Sequence, residues 1–162
     1  MVRITLSSLV SFLAVLLLVA TTSEAAALYR IYNGGSWAKN FPSGPGRPPF
    51  FTSVVVDDNF ASVYERWTIE RFEEGFRLQN FGSRFWLTAR NNVVDGSSDF
   101  NPASSKWYIE PAGDGKFKIL VPNKDLVVTA LRAQPDYPVT LFLEPADGSE
   151  AQLWSFERIV DY

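Results

Sequence analysis

Trp67-Thr68-Ile69-Glu70, Trp107-Tyr108-Ile109-Glu110 and Trp154-Ser155-Phe156-Glu157 repeat one pattern: Trp, any residue, Ile or Phe, then Glu. The tryptophans lie 40 and 47 residues apart. Self-similarity at a period of about 20 to 50 residues marks a modular architecture. Upstream, Phe76 to Ala89 (FRLQNFGSRFWLTA) and Phe117 to Ala130 (FKILVPNKDLVVTA) align over 14 residues without a gap. Tyr29-Arg30-Ile31-Tyr32-Asn33 opens a third copy, with Gly34-Gly35-Ser36 where the second has Gly82-Ser83. The units therefore start at 29, 76 and 117.

Inside each unit the hydrophobic period is two. Phe76 and Leu78, like Phe117 and Ile119, alternate with polar neighbours, as half-buried strands do. Val54-Val55-Val56 and Val139 to Leu143 read as further strands, being β-branched and aromatic. Turn residues separate them at Pro42 to Gly46, Asp95 to Ser98, Gly113 to Gly115 and Pro145 to Gly148. Each unit has room for about four short strands. Three such units predict an all-β chain, a β-trefoil of three Trp-closed repeats, since a propeller normally needs four or more blades. The expected domain runs over 28–162, with repeats at about 28–72, 73–113 and 114–160.

Composition narrows the function. The chain has 162 residues, enough for one domain. Net charge is −3, so the basic excess of a nucleic-acid binder is missing and no nucleic-acid partner is expected. There is no Cys and no His. That removes disulfides, thiol nucleophiles, imidazole bases and the ordinary zinc centre, and no metal or other cofactor is expected. Aromatic residues reach 15%, more than a core of this size obviously needs.

The first residues read as a leader. Arg3 precedes Leu9 to Ala20, an uncharged apolar run of 12 residues. A membrane span needs about 20. Small residues before Ala25 and Ala27 fit cleavage after either. We expect a signal peptide over 1–27 and a secreted mature chain from Leu28, without membrane insertion. No Asn-x-Ser/Thr sequon occurs.

Units that close on Gln-x-Trp resemble the ricin-B-like lectins. The third unit carries the motif intact as Gln152-Leu153-Trp154, while Glu65-Arg66-Trp67 and Ser105-Lys106-Trp107 depart from it. The mature chain resembles the small trefoils of mushrooms. One branch of these comprises lectins for fucosylated, chitin-type glycan cores, and another comprises protease inhibitors. The lectin resemblance implies a carbohydrate-binding protein with one glycan site on the second unit, with aromatics on and near its closing strand. Trp86 and Trp107 match in type. Ser105 stands where an aromatic is expected, and Phe100 is the candidate replacement. A ricin-type galactose site needs an early Asp with a later aromatic and Asn, and no unit shows that set.

The residues themselves point the same way. Threefold repetition makes Trp67 and Trp154 core residues. Trp37 and Trp86 break the repetition, and Trp86 aligns with Val127. Alternation cannot turn Phe85, Trp86 and Leu87 all inward, so at least one faces out, either under a local cover or as a binding platform. The segment after it is dense in short polar groups: Asn91, Asn92, Asp95, Ser97, Ser98, Asp99 and Asn101, with Phe100 expected among them as exposed. The candidate carbohydrate-binding set is Trp86, Asn91, Asn92, Phe100, Asn101 and Trp107.

Two other readings remain open. A protease inhibitor would act through the proline-stiffened loop Pro42 to Pro49, with Arg47 and Pro48 entering the protease, because preorganised loops bind tightly. Arg132 to Pro135 is a second candidate loop. Catalysis would use paired carboxylates, but Glu70, Glu110 and Glu157 are symmetric copies and read as structural charges beside Arg71 or Arg158. Acid and base need unequal environments, so no enzyme is expected.

Overall fold

A computed structural model describes residues 27–41, 51–57, 62–131 and 139–159. The expected leader, but for Ala27, lies outside these residues, as do the segments 42–50 and 132–138 that carry the proposed inhibitory loops.

Among the described residues the chain forms twelve strands. In order they are β1 (Leu28–Asn33), β2 (Ser36–Asn40), β3 (Phe51–Asp57), β4 (Arg66–Phe72), β5 (Gly75–Asn80), β6 (Trp86–Arg90), β7 (Val93–Ser97), β8 (Tyr108–Gly113), β9 (Lys116–Leu120), β10 (Val127–Leu131), β11 (Val139–Glu144) and β12 (Ser155–Ile159). One helical turn, Pro102–Ser105, and two 3-10 turns, Val63–Glu65 and Glu150–Gln152, precede the closing tryptophans.

Six strands close a barrel. β1 pairs with β4, β4 with β5, β8 with β9, and β12 with β1. The two remaining joints are bridges, Phe76 to Trp107 and Phe117 to Trp154. At each the partners exchange both backbone hydrogen bonds, at 2.8–2.9 Å. Tyr29 faces Trp67 in the same way. The opening aromatic of each unit thus stands opposite the closing Trp of that unit. The other six strands form the hairpins β2–β3, β6–β7 and β10–β11. These close on one another in a triangle, β3 on β7, β7 on β11 and β11 on β3. A barrel of three unit pairs under three hairpins is the β-trefoil.

The core follows the repeat. Trp67, Trp107 and Trp154 are fully buried. Their indole N–H groups donate to the carbonyl oxygens of Ala38, Leu87 and Val128, each at 2.9 Å. A buried indole is thereby satisfied three times over by one geometry. Ile31, Leu78 and Ile119 pack around them from the barrel, and Val54, Val94 and Leu141 from the hairpins.

The residue two before each Trp fills one buried slot with different chemistry. Glu65, Ser105 and Gln152 are all inaccessible. Gln152 Nε2 donates to Thr129 Oγ1 at 3.3 Å, and Ser105 shares a 2.9 Å hydrogen bond with Thr88, the residue equivalent to Thr129. Glu65 instead receives Arg30 Nε at 2.7 Å. Ser105 is therefore an inward polar residue, not an empty place on a binding surface.

One expected turn is a strand. Asp95, Gly96 and Ser97 lie in β7. Asn91 and Asn92 take the turn before it, at φ 48° and 62°. Two left-handed residues suit a two-residue hairpin, and Asn tolerates that region better than most. Gly96 serves packing: a Cβ there would lie 2.5 Å from the Asn40 side chain.

Candidate functional site

β6 opens with Trp86. Leu87 is buried, whereas Phe85 and Trp86 are half-buried. Alternation from Leu87 sends Trp86, Thr88 and Arg90 to the opposite face of the hairpin, where Thr88 is buried against Ser105 while Trp86 is half-buried and Arg90 exposed. Phe100 meets Trp86 edge-on, with ring centroids 5.1 Å apart and planes at 62°. Phe72, at the end of β4, meets Phe100 in turn at 5.0 Å and 78°. Such edge contacts suit the quadrupoles of the rings. Phe100 is consequently half-buried between two rings, where the sequence led us to expect it exposed.

Arg77, on β5, binds this cluster together. Its guanidinium carbon lies 5.2 Å from the Trp86 ring centroid and 5.7 Å from those of Phe72 and Phe100. Glu70 holds it from β4, accepting from Nε at 2.8 Å and pairing with Nη2 at 2.7 Å. A fixed guanidinium over aromatic faces is a cation–π arrangement. It leaves further N–H donors beside the half-buried indole.

Phe72, Arg77 and Glu70 did not enter the candidate set from sequence. The signal was present in the repeat. The closing Glu of one unit stands opposite the opening base of the next: Glu70 faces Arg77, Glu110 faces Lys118, and Glu157 faces Arg30. The symmetric carboxylates thus pair across strands. Their sequence neighbours Arg71 and Arg158 stand opposite Phe76 and Tyr29.

The other candidates lie elsewhere. Asn91 and Asn92 are exposed at the far end of the β6–β7 hairpin, five and six residues beyond Trp86, or about 17 Å along the strand for the nearer. Asn101 caps the helical turn, its side chain accepting from Ala103 N at 3.0 Å. Trp107 is 0% exposed and has no face to offer a ligand. Asp95 and Ser97 are buried. Asp95 accepts from Arg90 Nε at 2.9 Å, and Ser97 Oγ donates to the Asp99 carbonyl at 2.9 Å. The structure brings Trp86 and Phe100 together and leaves Asn91, Asn92 and Trp107 apart from them. Arg47 and Pro48 lie outside the described residues.

Trp37 proves to share the position of Trp86. Trp67 bonds to Ala38 as Trp107 bonds to Leu87, so the residues just before, Trp37 and Trp86, are equivalent. Val127 is the third copy and is fully buried. Trp37 packs on Tyr32 at 5.8 Å. The Tyr32 phenol donates to Glu157. Burial, then that hydrogen bond, holds the phenol above its usual pKa.

Below Phe72 the β4–β5 turn carries a charged cluster. Lys106 Nζ lies 2.8 Å from Glu73 and 2.6 Å from Glu74. These hydrogen bonds raise the Lys106 pKa and lower that of Glu74. Among the described residues no three of His, Cys, Asp and Glu gather as a metal site would require.

No protein-family model matches the sequence, and no curated protein matches it by sequence. Solved structures do match in shape. The Rhizoctonia solani agglutinin superposes with a TM-score of 0.67 at 20% identity, covering 86% of this chain and 100% of that one. A Macrolepiota procera ricin B-like lectin, in complex with lactose, gives 0.62 at 19% identity, again covering 86% and 100%. A designed threefold-symmetric protein gives 0.67 at 14%, covering 80% and 96%. The fold is the β-trefoil. At these identities the likeness concerns the fold, and function has to be argued from the side chains on it.

Proposed function

We propose that this trefoil is a secreted carbohydrate-binding protein with one glycan site on the outer face of β6, centred on Trp86. One observation carries the reading. Trp86, part-exposed on a strand whose neighbour Leu87 already supplies the core, is walled by Phe100 and by the ion-paired Arg77. A sugar presents an apolar C–H face to such a ring, while its hydroxyls seek donors and acceptors at the ring's edge. Arg77 supplies the donors and Glu70 the acceptors, both held in place. A few fixed polar groups around an apolar floor is the usual constitution of a small-ligand site.

Neutral oligosaccharides of chitin type, fucosylated or not, are the proposed ligands. Arg77 is already balanced by Glu70, so the site adds no net demand for a charged sugar. Affinity for one sugar should be near ~1 mM, or about −4 kcal/mol. A single site would make agglutination depend on dimerisation. The solved lectin and agglutinin of like fold support the reading without deciding it.

Catalysis is not proposed. Glu70, Glu110 and Glu157 each face a base on the neighbouring strand, as structural charges do. Secretion rests on the apolar run Leu9 to Ala20 and the small residues after it. The test is a glycan array probed with the mature chain. Retention by chitin-type or fucosylated oligosaccharides supports the proposal, and absence of any glycan retention overturns it.

A further inference from the structure

We infer that Gln79 determines the specificity of the Trp86 site: its side-chain oxygen accepts the N–H of an acetamido group on the sugar held at Trp86, while Arg77 donates to the carbonyl of that group. The inference rests on the glycan reading of Trp86 and adds a residue and a chemical group to it. Gln79, on β5, stands directly opposite Trp86 in the β5–β6 register. Residues directly opposite in antiparallel strands project from one face, with Cβ atoms about 5 Å apart. Arg77 lies two residues before Gln79 on the same face of β5, about 7 Å away. Gln79, Arg77 and Trp86 are all half-buried, so each keeps part of its surface open to solvent.

The two polar groups are complementary and both are fixed. Gln79 Nε2 donates to the Arg84 carbonyl at 2.9 Å. An amide that points its nitrogen at a carbonyl turns its oxygen away from it. Among the described residues no donor reaches that oxygen. Arg77 gives Nε and Nη2 to Glu70, which leaves the N–H groups of Nη1 in a plane set by the ion pair. One acceptor and one donor thus stand side by side next to the indole. An acetamido group is a planar unit whose N–H and C=O point in opposite directions. It spans such a pair, N–H to Gln79 and C=O to Arg77. A hydroxyl at the same ring carbon is too short to bridge them.

The other units repeat these positions with different chemistry. The pair Gln79–Trp86 recurs as Tyr32–Trp37 in the first unit and as Leu120–Val127 in the third. In the first, Tyr32 packs its ring on Trp37 at 5.8 Å and donates its hydroxyl to Glu157. Arg30, the counterpart of Arg77, donates Nε to the inaccessible Glu65 at 2.7 Å, so its guanidinium is drawn toward the core. In the third, both members are apolar and Val127 is fully buried. Of the three pairs, the second alone sets an amide beside a half-buried ring. The comparison explains why Trp37 can share the place of Trp86 without sharing its ligand.

The test titrates wild type, Gln79→Met and Trp86→Ala with two linear β-1,4 tetramers that differ only at C2, that of N-acetylglucosamine and that of glucose. Wild type should prefer the acetamido tetramer by about tenfold. Gln79→Met keeps the length of the side chain and removes the amide. It should bring the acetamido tetramer down to the level of the glucose tetramer and leave the latter within about twofold of wild type. Gln79→Ala, which cannot crowd the turn at Arg84, should do the same, and circular dichroism verifies each fold. Trp86→Ala should weaken both ligands. If the Gln79 variants keep the full preference or weaken both tetramers alike, or if wild type binds both equally, the role of Gln79 is wrong, and loss of binding in Trp86→Ala still upholds the site. If Trp86→Ala binds both ligands like wild type, or wild type binds neither, both readings fail.

Discussion

Trp107 donates its indole N–H to the carbonyl oxygen of Leu87 at 2.9 Å. Leu87 follows Trp86, so a fully buried core ring fixes the backbone that presents the candidate ligand ring. The same bond occurs at Ala38 and Val128, where it serves the core without the aromatic–arginine cluster of the second unit. One repeated device thus positions three hairpins.

Trp154→Ala should cost about 3–5 kcal/mol, the range for removing a buried aromatic. Trp154→Phe should cost about 1–3 kcal/mol, because the Val128 carbonyl loses its buried donor. Urea unfolding with an unchanged m-value measures both. Trp107→Phe should destabilise comparably and also weaken glycan binding, which Trp154→Phe should leave alone.

Thr88 and Ser105 share a buried hydroxyl pair at 2.9 Å. Thr88→Val or Ser105→Ala removes this buried bond, the remaining hydroxyl keeping only its backbone partner (Asn101 N for Ser105, the Trp86 carbonyl for Thr88), and should cost about 0.5–1.5 kcal/mol. The double variant should recover part of that loss, with a coupling near 1 kcal/mol in a double-mutant cycle. Strict additivity would show that the pair contributes nothing.

Gly75 opens β5 where the chain crosses β8. A Cβ there would lie 2.7 Å from the Trp107 carbonyl oxygen, a backbone atom with little freedom to yield. Gly75→Ala should therefore cost about 1–3 kcal/mol, as overpacking does. A neutral result in chemical denaturation would contradict the tight barrel joint at Phe76 and Trp107.

Acid should weaken the Lys106 cluster. The Lys106 hydrogen bond is the main cause that holds Glu74 below its usual 4.5. A lowered carboxyl stabilises the fold above that value and loses its contribution as pH falls through the folded pKa. Lys106 is raised above 10.5, so its contribution is complete below that value and fails only as pH rises through a still higher one. Thermal unfolding should change little from this cluster between about pH 5 and 10, and the midpoint should fall on further acidification. Lys106→Met should make the acid fall shallower. An identical acid profile in that variant would refute the assignment.

Much of this fold was legible because its signals are local and repeated three times. The Trp closings, the aromatic-base-aliphatic openings and the period of two give strand number and symmetry directly. The site was less legible because it is assembled across strands. Trp86 stood out as a departure from symmetry, although Trp37 shares its place. Arg77, Glu70 and Phe72 reach Trp86 through the β4–β5 register, which no spacing along the chain displays. Asn91 and Asn92 looked like ligand amides because composition does not separate a polar loop from a tight turn. Their positive φ values show the turn. Trp107 looked like a platform by type, and its burial makes it core.

The central claim is that Trp86 carries the glycan site, and isothermal titration of Trp86→Ala beside wild type tests it most directly. The ligand is a chitin-type or fucosylated oligosaccharide retained by the wild-type chain. The account predicts at least about a tenfold loss of affinity, with circular dichroism unchanged. Equal affinity in a folded Trp86→Ala variant would contradict it.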